Sequence, residues 1–560
     1  LTMIVHRKKL FAFCFCLSVC FCLLLNLVIE GGLSASSPNS ISHQTPFYND
    51  LGNYHHPVTT KSPEAQRYFD QGLILVYGFN HAEARRSFQE ATKLDPNCAM
   101  CYWGIALAFG PHINAPMDEK VVSEAYQALE KAKQLAPQAS AAEQAYVQAL
   151  SQRYAQKPVK ERYPLDLAYA NAMRDLSKNY PDDLDAATLF AEALMDLMPW
   201  SYWTPERKPK PETVEVIAVL ESVMQRNPNH PGANHYYIHA MEASSTPEKA
   251  EVAADHLLNL APGAGHLVHM PSHIYLRVGR YHDAAIANER AVIADQAYLA
   301  RSQEQGFYKA LYYPHNIHFL WKAASLEGRS EAAITSARKL ITKVSPELVN
   351  QIPMTEVFLP IPFLSLVQFQ QWDDVLTEPQ PSDEFSYTVA MWHYARGMAW
   401  ASQDRLDEAQ DEQLKLQAFL KNEKILKVEA MGTPLKRLVE IANQVLSAKI
   451  GGLQGNNEEM IADLQAAIEI EDGLPYMEPP YWYQPVREFL GALLLKLNRP
   501  SEAEAVYRQD LQQYPGKGWS LYGLAESLRM QGKTEAVTRV QQQFDRAWSK
   551  ADITLTDINF

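Results

Sequence analysis

Cysteine and basic charge are both scarce in this 560-residue chain. Four of its six cysteines fall in one apolar segment between residues 14 and 22, which leaves only Cys98 and Cys101 elsewhere. Two cysteines three residues apart exclude the disulfide framework of a small secreted domain. Lys and Arg number 51 against 65 Asp and Glu, for a net charge of -14. We therefore expect no nucleic-acid partner, because phosphate binding needs a basic footprint.

Several catalytic signatures are also missing. The sequence has no glycine-rich phosphate loop, no nucleophile elbow, no kinase signature and no HEXXH metalloprotease motif. No stretch alternates polar and apolar residues in the way that predicts strands, whereas Gly and Pro punctuate long helical patterns. The chain is predicted to be all-α, and whether it is an enzyme stays open.

The N-terminus has the layout of a targeting segment. A basic flank at residues 6–9 precedes an apolar run at residues 10–29, and small and polar residues follow at 31–36. This predicts a signal peptide cleaved near Ala35, or a membrane anchor formed by residues 10–29. In either case the body of the chain lies outside the cytoplasm, as a periplasmic, secreted or membrane-anchored protein. The membrane is contacted only through this segment.

A repeated pattern of small and large residues follows. The first unit is marked by Tyr68, Gly72, Ala84, Phe88, Ala91 and Pro96, and a late unit by Gly491, Ala503, Tyr507 and Pro515. These spacings resemble the tetratricopeptide-repeat (TPR) family, whose units are helix pairs of about 34 residues. The resemblance implies an α-solenoid, a right-handed superhelix of helix-turn-helix repeats. The segments CAMCYWG, GPHIN and HMPSHIY are also similar to exported bacterial TPR proteins of unassigned activity.

The repeat signatures divide the chain. The predicted segments are a signal peptide or anchor (1–35), a flexible linker (36–62), N-terminal TPR units (63–138) with an inserted loop at 110–118, irregular helical repeats (139–228), His-rich TPR units (229–345), an irregular connection (346–385), C-terminal TPR units (386–548) and a tail (549–560).

Histidines concentrate in the His-rich units. Ten of the 17 lie between residues 230 and 318. His235 and His269 occupy the fifth place of successive repeats, and His239 and His273 the ninth, so the two pairs are 34 residues apart. The resemblance implies that these places face the concave groove. Helix geometry agrees, because residues at i and i+4 share one face.

Three further side chains join this face. His266 takes the second place of its repeat, Glu242 the twelfth of the unit before, and His318 the sixth of the following unit. His315 takes the third place in the same unit as His318. Imidazoles at i and i+4 form a chelating pair for a transition metal. The predicted ligands are His235, His239, His269 and His273, completed by His266, His318 or Glu242. Copper is the first choice, and iron or zinc would fit if Glu242 binds. The alternative is a polar groove that hydrogen-bonds a peptide or small ligand.

The remaining cysteines and the inserted loop form a second candidate region. Cys98 and Cys101 begin a predicted helix, where a disulfide, a metal-thiolate role shared with Met100 or His112, and thioredoxin-like chemistry all stay open. His112 and Asn114 lie on the inserted loop and are expected at the groove rim.

Two functions follow from these patterns. The first is an exported TPR protein whose His-rich groove binds a transition metal, for metal handling or oxidative chemistry on a ligand held in the groove. The second is an interaction scaffold that binds a peptide or helix in the groove without catalysis.

Overall fold

The protein is built from α-helices joined by short turns. The computed structural model describes residues 45–302 and 306–555. No helix among them is both long and apolar enough to span a membrane. Its α-helices are α1 (Pro63–Tyr77), α2 (His81–Leu94), α3 (Ala99–Ala108), α4 (Val122–Leu135), α5 (Ala141–Leu150), α6 (Tyr163–Asn179), α7 (Leu184–Met195), α8 (Pro211–Arg226), α9 (Pro231–Met241), α10 (Glu251–Leu257), α11 (Gly265–His269), α12 (Pro271–Val278), α13 (Tyr281–Arg301), α14 (Tyr313–Glu327), α15 (Ser330–Ile341), α16 (Pro346–Gln351), α17 (Ile361–Gln368), α18 (Trp372–Thr377), α19 (Ser386–Ser402), α20 (Leu406–Ala418), α21 (Glu423–Ala430), α22 (Leu435–Gln454), α23 (Asn457–Asp472), α24 (Val486–Lys496), α25 (Pro500–Gln513), α26 (Gly518–Met530) and α27 (Thr534–Ala547).

The all-α prediction is confirmed. In the described ranges, extended pairing is limited to two isolated bridges, His112 with Ala115 and Trp203 with Pro209. Consecutive helices pack in pairs, as in TPR proteins. The starts of the first two helices follow from the local sequence. The Ser62 hydroxyl caps α1 ahead of Pro63, and the Asn80 side chain caps α2. Such caps satisfy amide groups that the first helical turn leaves without partners.

The marker residues of the repeats interlock neighbouring helices. A Cβ atom placed on Gly72 would lie 2.5 Å from the Phe88 ring, and one on Gly104 would lie 2.6 Å from it. Phe88 therefore fills the space that two glycines leave between α1 and α3. Tyr507 occupies the equivalent space beside Gly491, where a Cβ would lie 2.5 Å from its ring. Small residues at these places are required because the helices approach too closely for a side chain.

The helices form two compact units. Within the described residues, the first comprises 45–274 and 287–316, and the second comprises 275–286 and 317–555. The predicted inserted loop, 110–118, lies in the first unit between α3 and α4. The predicted irregular repeats at 139–228 contain α5 to α8, whose helices pack as neighbours although the TPR marker residues are missing.

One part of the predicted linker is ordered rather than flexible. The Tyr48 amide donates to Gln71 Oε1 at 2.8 Å, the Tyr54 hydroxyl to Asp185 Oδ1 at 2.7 Å, and the Thr59 amide to Glu143 at 2.6 Å. Residues 45–62 are therefore fixed by buried polar partners that their composition does not reveal. The predicted signal peptide or anchor (1–35) lies outside the described residues.

Candidate metal centre

Six histidines of the first unit come together, five of them buried and His315 half-buried. Helix α9 supplies His235 and His239, and α11 supplies His266 and His269. Pro271 interrupts the helical course after Met270, so that His273 lies at the start of α12 and its amide donates to the Met270 carbonyl at 3.1 Å. His315 comes from the first turn of α14.

The first three histidines form one compact set, which we name set one: His235, His239 and His266. One ring nitrogen from each lies within 4.8 Å of the others, and all three side chains are buried. The His235 ring centroid lies 4.8 Å from that of His239 and 4.9 Å from that of His266. The i, i+4 spacing on α9 brings the first two together, and close packing of α11 adds the third.

The tautomers in set one follow from its hydrogen bonds. His235 Nδ1 lies 2.6 Å from the Tyr77 carbonyl oxygen, which can only accept, so Nδ1 carries the proton. His239 Nδ1 likewise donates to Glu242 Oε1 at 2.8 Å. Both Nε2 atoms are buried without a hydrogen-bond partner, and so are both ring nitrogens of His266. Set one therefore presents lone pairs that no protein donor uses.

The other three histidines form set two: His269, His273 and His315. Their ligand atoms also lie within 4.8 Å of one another. His269 Nδ1 faces Asn288 Oδ1 at 2.7 Å, and His273 Nδ1 donates to Glu242 Oε2 at 2.7 Å. These contacts leave the two Nε2 atoms facing each other at 2.9 Å.

Glu242 connects the two sets through one carboxylate. Its Oε1 accepts from His239 and its Oε2 from His273, and the side chain is 1% exposed. Burial alone would raise the pKa of Glu242, but the charge of His273 and the two hydrogen bonds outweigh it and lower the pKa to about 2. The carboxylate is therefore ionised and fixes the ring orientation of one histidine in each set.

Burial keeps most of these imidazoles neutral. It lowers the pKa of His235, His266 and His269 well below the usual range, and the charges of neighbouring histidines lower it further. Burial also lowers the pKa of His239, against the opposing effect of the hydrogen bond that His239 donates to Glu242. A neutral imidazole is the form that binds a metal ion, so protons compete weakly for these nitrogens.

Phe79 closes the centre from the α1–α2 turn. Its backbone φ is 54°, in the left-handed region that a bulky residue rarely adopts. The ring stacks on His112 at a centroid distance of 4.6 Å and lies 4.7 Å from His235. The first repeat thus packs directly on the histidine-bearing helices. This part of the predicted groove is consequently filled by side chains and has no room for a peptide.

Two irregular loops border the centre. His112 is buried, and Asn114 Nδ2 donates to the Tyr312 hydroxyl at 3.0 Å, with the Tyr312 ring 4.5 Å from that of His266. The predicted rim residues therefore line the wall of the centre. Trp200, which is 46% exposed, places its ring 5.3 Å from that of His239. It lies between set one and solvent.

His315 lies in the cluster, whereas the predicted ligand His318 does not. His315 joins set two, whereas His318 belongs to the second unit, where its ring stacks on Trp321 at 5.2 Å. The two positions are three residues apart, or about 60° around a helix, so a modest rotation of α14 decides between them. The repeat register alone does not specify that rotation. A π-helical turn at Tyr308–Tyr312 precedes α14 and departs from the regular repeat.

Cys98 and Cys101 form a disulfide with each other. The Cys101 amide donates to Cys98 Sγ at 3.1 Å, which caps the start of α3. Both residues are fully buried. With the sulfurs joined in this way, neither is a thiolate ligand in this state of the protein.

Comparison with solved structures returns helical proteins at low similarity. The human IFIT1 dimer with m7Gppp-AAAA is 11% identical, covering 89% of this chain and 92% of that chain with a TM-score of 0.28. The Cut9–Hcn1 hetero-tetramer of the APC/C is 11% identical, covering 83% of this chain and 76% of that chain with a TM-score of 0.27. Yeast Tom70 is 13% identical, covering 87% of this chain and 92% of that chain with a TM-score of 0.27. No family model and no curated protein matches the chain.

Proposed function

We propose that this protein binds a transition-metal ion at its buried histidine centre. One observation carries the proposal: three imidazoles from two helices converge with buried ring nitrogens that have no hydrogen-bond partner. A buried polar atom without a partner costs about 1–3 kcal/mol, so four of them in one place need an explanation. A cation bound by one lone pair from each of the three rings removes most of that cost, the fourth nitrogen being the N–H of His266, and the lowered histidine pKa values favour it.

We propose copper as the ion. Set one offers only imidazole nitrogens, which suit copper and zinc, and a site outside the cytoplasm is compatible with copper handling. The sequence predicts Glu242 as the ligand that would favour iron or zinc, but both of its oxygens accept hydrogen bonds from histidine Nδ1 atoms. Its geometry therefore supports an orienting role rather than direct coordination.

The role that best fits the burial is metal handling, or oxidative chemistry on a molecule small enough to reach the interior. His235, His239 and His266 are at most 2% exposed, and Phe79 and Trp200 cover the centre. A peptide held in a groove would not reach these nitrogens. We retain the proposal that the chain is exported or anchored outside the cytoplasm, which a buried disulfide supports.

The direct test is the metal content of protein purified from the exported fraction. Wild type should retain copper in stoichiometric amount after dialysis, and the double variant His235→Ala/His269→Ala should lose it. His256→Ala is the matched control, because His256 lies outside the centre and contacts the Pro228 carbonyl. Wild-type protein that stays metal-free after reconstitution with Cu(II), and separately with Zn(II), would rule the proposal out.

A scaffold that binds a ligand in a groove is the second candidate function. The observation in its favour is a cavity of about 270 Å³ in the second unit, open to solvent on one side and lined by residues of α17, α18, α19, α22, α24, α25 and α26. Its walls include Trp372, Trp519 and Tyr522, with Lys449 among the polar groups. Display of random peptides against the full chain tests this function. Enriched sequences should bind wild type and fail to bind the Lys449→Glu variant.

A further inference from the structure

We infer that the cavity of the second unit binds a small aromatic carboxylate. All of its lining residues belong to the second unit, so the inference is independent of the metal proposal for the first unit. It rests on the second candidate function, in which this cavity takes a ligand, and it assigns a small molecule rather than an extended peptide as that ligand.

The size of the cavity favours a small occupant. A volume of about 270 Å³ corresponds to about nine water molecules at about 30 Å³ each. Small-molecule sites in proteins usually measure about 300–1,000 Å³, so this cavity lies at the lower end of their range. It therefore has room for one compound of two small rings, which can enter through the side that is open to solvent.

Aromatic side chains form much of the wall. Trp372 comes from the start of α18, and Trp519 and Tyr522 come from α26. The ring of Trp519 is held in place, because its Nε1 donates to the Ser325 carbonyl at 3.2 Å and the Trp548 ring meets it edge-on at 5.2 Å. Aromatic rings attract one another in offset-stacked or edge-to-face contacts. The wall therefore favours a ligand with a planar aromatic body.

Lys449 gives the cavity a positive charge. Burial and the neighbouring charge of Lys496 lower the pKa of Lys449 to about 8, against the opposing charge of Asp404, so the ammonium still carries its charge at pH 7. An anion in the cavity would offset the repulsion between the two lysines. The carboxylate of Glu488, which also lines the cavity, pairs with Lys517 at 2.7 Å. The charged group of the ligand is therefore expected to be negative.

Two further polar groups line the cavity without a hydrogen-bond partner among the described residues. Gln368, at the end of α17, is 3% exposed and its Oε1 is not bonded, and the same holds for Oγ of Ser402 at the end of α19. An amide oxygen only accepts, whereas a hydroxyl can donate to a carboxylate. These groups therefore match an aromatic acid that also carries an N–H or O–H donor, such as an indole or phenol carboxylate.

Isothermal titration calorimetry of the full chain with indole-3-acetate tests the inference. Wild type should bind one equivalent. It should bind tryptophol, the alcohol that lacks the carboxylate, about 10–100-fold more weakly, because a hydrogen bond to a charged group is lost. Lys449→Met should abolish this preference for the acid and leave the affinity for tryptophol unchanged. Lys427→Met is the matched control, because Lys427 is exposed on α21 and lies outside the cavity.

The methylated probe 1-methylindole-3-acetate tests the acceptor separately. It lacks the ring N–H, so wild type should bind it about 3–10-fold more weakly than indole-3-acetate. Gln368→Leu should bind the two acids equally. Equal binding of both acids by wild type would overturn the assigned role of Gln368.

The remaining outcomes separate this inference from the other proposals. Equal affinity of wild type for indole-3-acetate and tryptophol, or an unchanged preference in Lys449→Met, would overturn the aromatic carboxylate. Wild type that binds selected peptides but no indole-3-acetate would overturn the inference and leave the second candidate function intact, and binding of neither would remove both. Removal of copper with a chelator should leave the affinity unchanged, and loss of binding would contradict an independent site. If circular dichroism reveals a folding defect in Lys449→Met, the comparison of the two compounds in wild type decides.

Discussion

Replacing Glu242 by Gln should weaken copper binding without removing any ligand. The carboxylate accepts from His239 at 2.8 Å and from His273 at 2.7 Å while 1% exposed. Glutamine has about the same shape but only one acceptor oxygen, and its amide NH2 group would face the other Nδ1–H. That histidine must then move its proton to Nε2, which removes the lone pair needed by the metal.

The expected loss follows from the partners that support metal ligands. Substituting an outer partner of a ligating histidine typically weakens metal binding about 10–100-fold, or about 1.4–2.7 kcal/mol. Competition with a chelator of known affinity, followed by absorbance, measures this change directly. Because the pKa of Glu242 is lowered to about 2, its charge is constant in the assay range, and the loss should be the same at pH 6 and pH 8.

The matched control removes an equal charge from the neighbouring surface. Glu248→Gln alters an exposed carboxylate that opens a short helical turn, and it should change the affinity less than twofold. Copper affinity of Glu242→Gln within threefold of wild type would refute the orienting role of the carboxylate. A loss confined to pH below 5 would also refute it, because protonation and not hydrogen-bond geometry would then be the cause.

Three other predictions concern stability and pH. Burial raises the pKa of Asp295 to about 7, so the folded state binds this proton more tightly than the unfolded state. The free energy of unfolding should therefore fall by up to about 4 kcal/mol as the pH rises from about 4 to 7. In urea titrations, Asp295→Asn should flatten that fall. Phe88→Ala should cost about 3–5 kcal/mol in the same assay, because it empties the space between Gly72 and Gly104. Copper should stay bound as the pH falls through about 6.5, the ordinary imidazole pKa, because burial lowers the pKa of His235 and His266 well below that value; dialysis across a pH series followed by metal analysis checks this, and release of half of the copper near pH 6.5 would contradict it.

The free energy that the metal-free centre costs the folded protein supports a role in binding. Burying several imidazoles with unsatisfied nitrogens destabilises a metal-free protein, and Phe79 adds a left-handed backbone conformation at the same place. Strain and unsatisfied polar atoms concentrate where a protein binds or reacts. The first unit tolerates them because a hydrogen-bond network fixes the surrounding helices, with the Tyr77 hydroxyl bonded to Asp185 and the Tyr77 carbonyl to His235.

Local patterns in the sequence were sufficient for the helices and for the candidate ligands on one helix. Gly72, Phe88 and Pro96 predict a helix pair because close approach, gap filling and helix termination are short-range demands. The placement of His235 and His239 on one face of α9 follows from the helical period alone. The 34-residue register also predicts the approach of His269 and His273, since adjacent repeats stack with nearly the same geometry.

Tertiary packing decided what the register does not encode. The rotation of α14 brought His315 into set two in place of His318, and a few tens of degrees of rotation change neither composition nor period. Contacts distant in sequence placed the Tyr77 carbonyl against His235, 158 residues away, and so fixed its tautomer. A repeat pattern specifies only which helices pack as neighbours along the chain. The closure of the first repeat over the centre depends on side chains such as Phe79, whose backbone and partners no periodic pattern predicts.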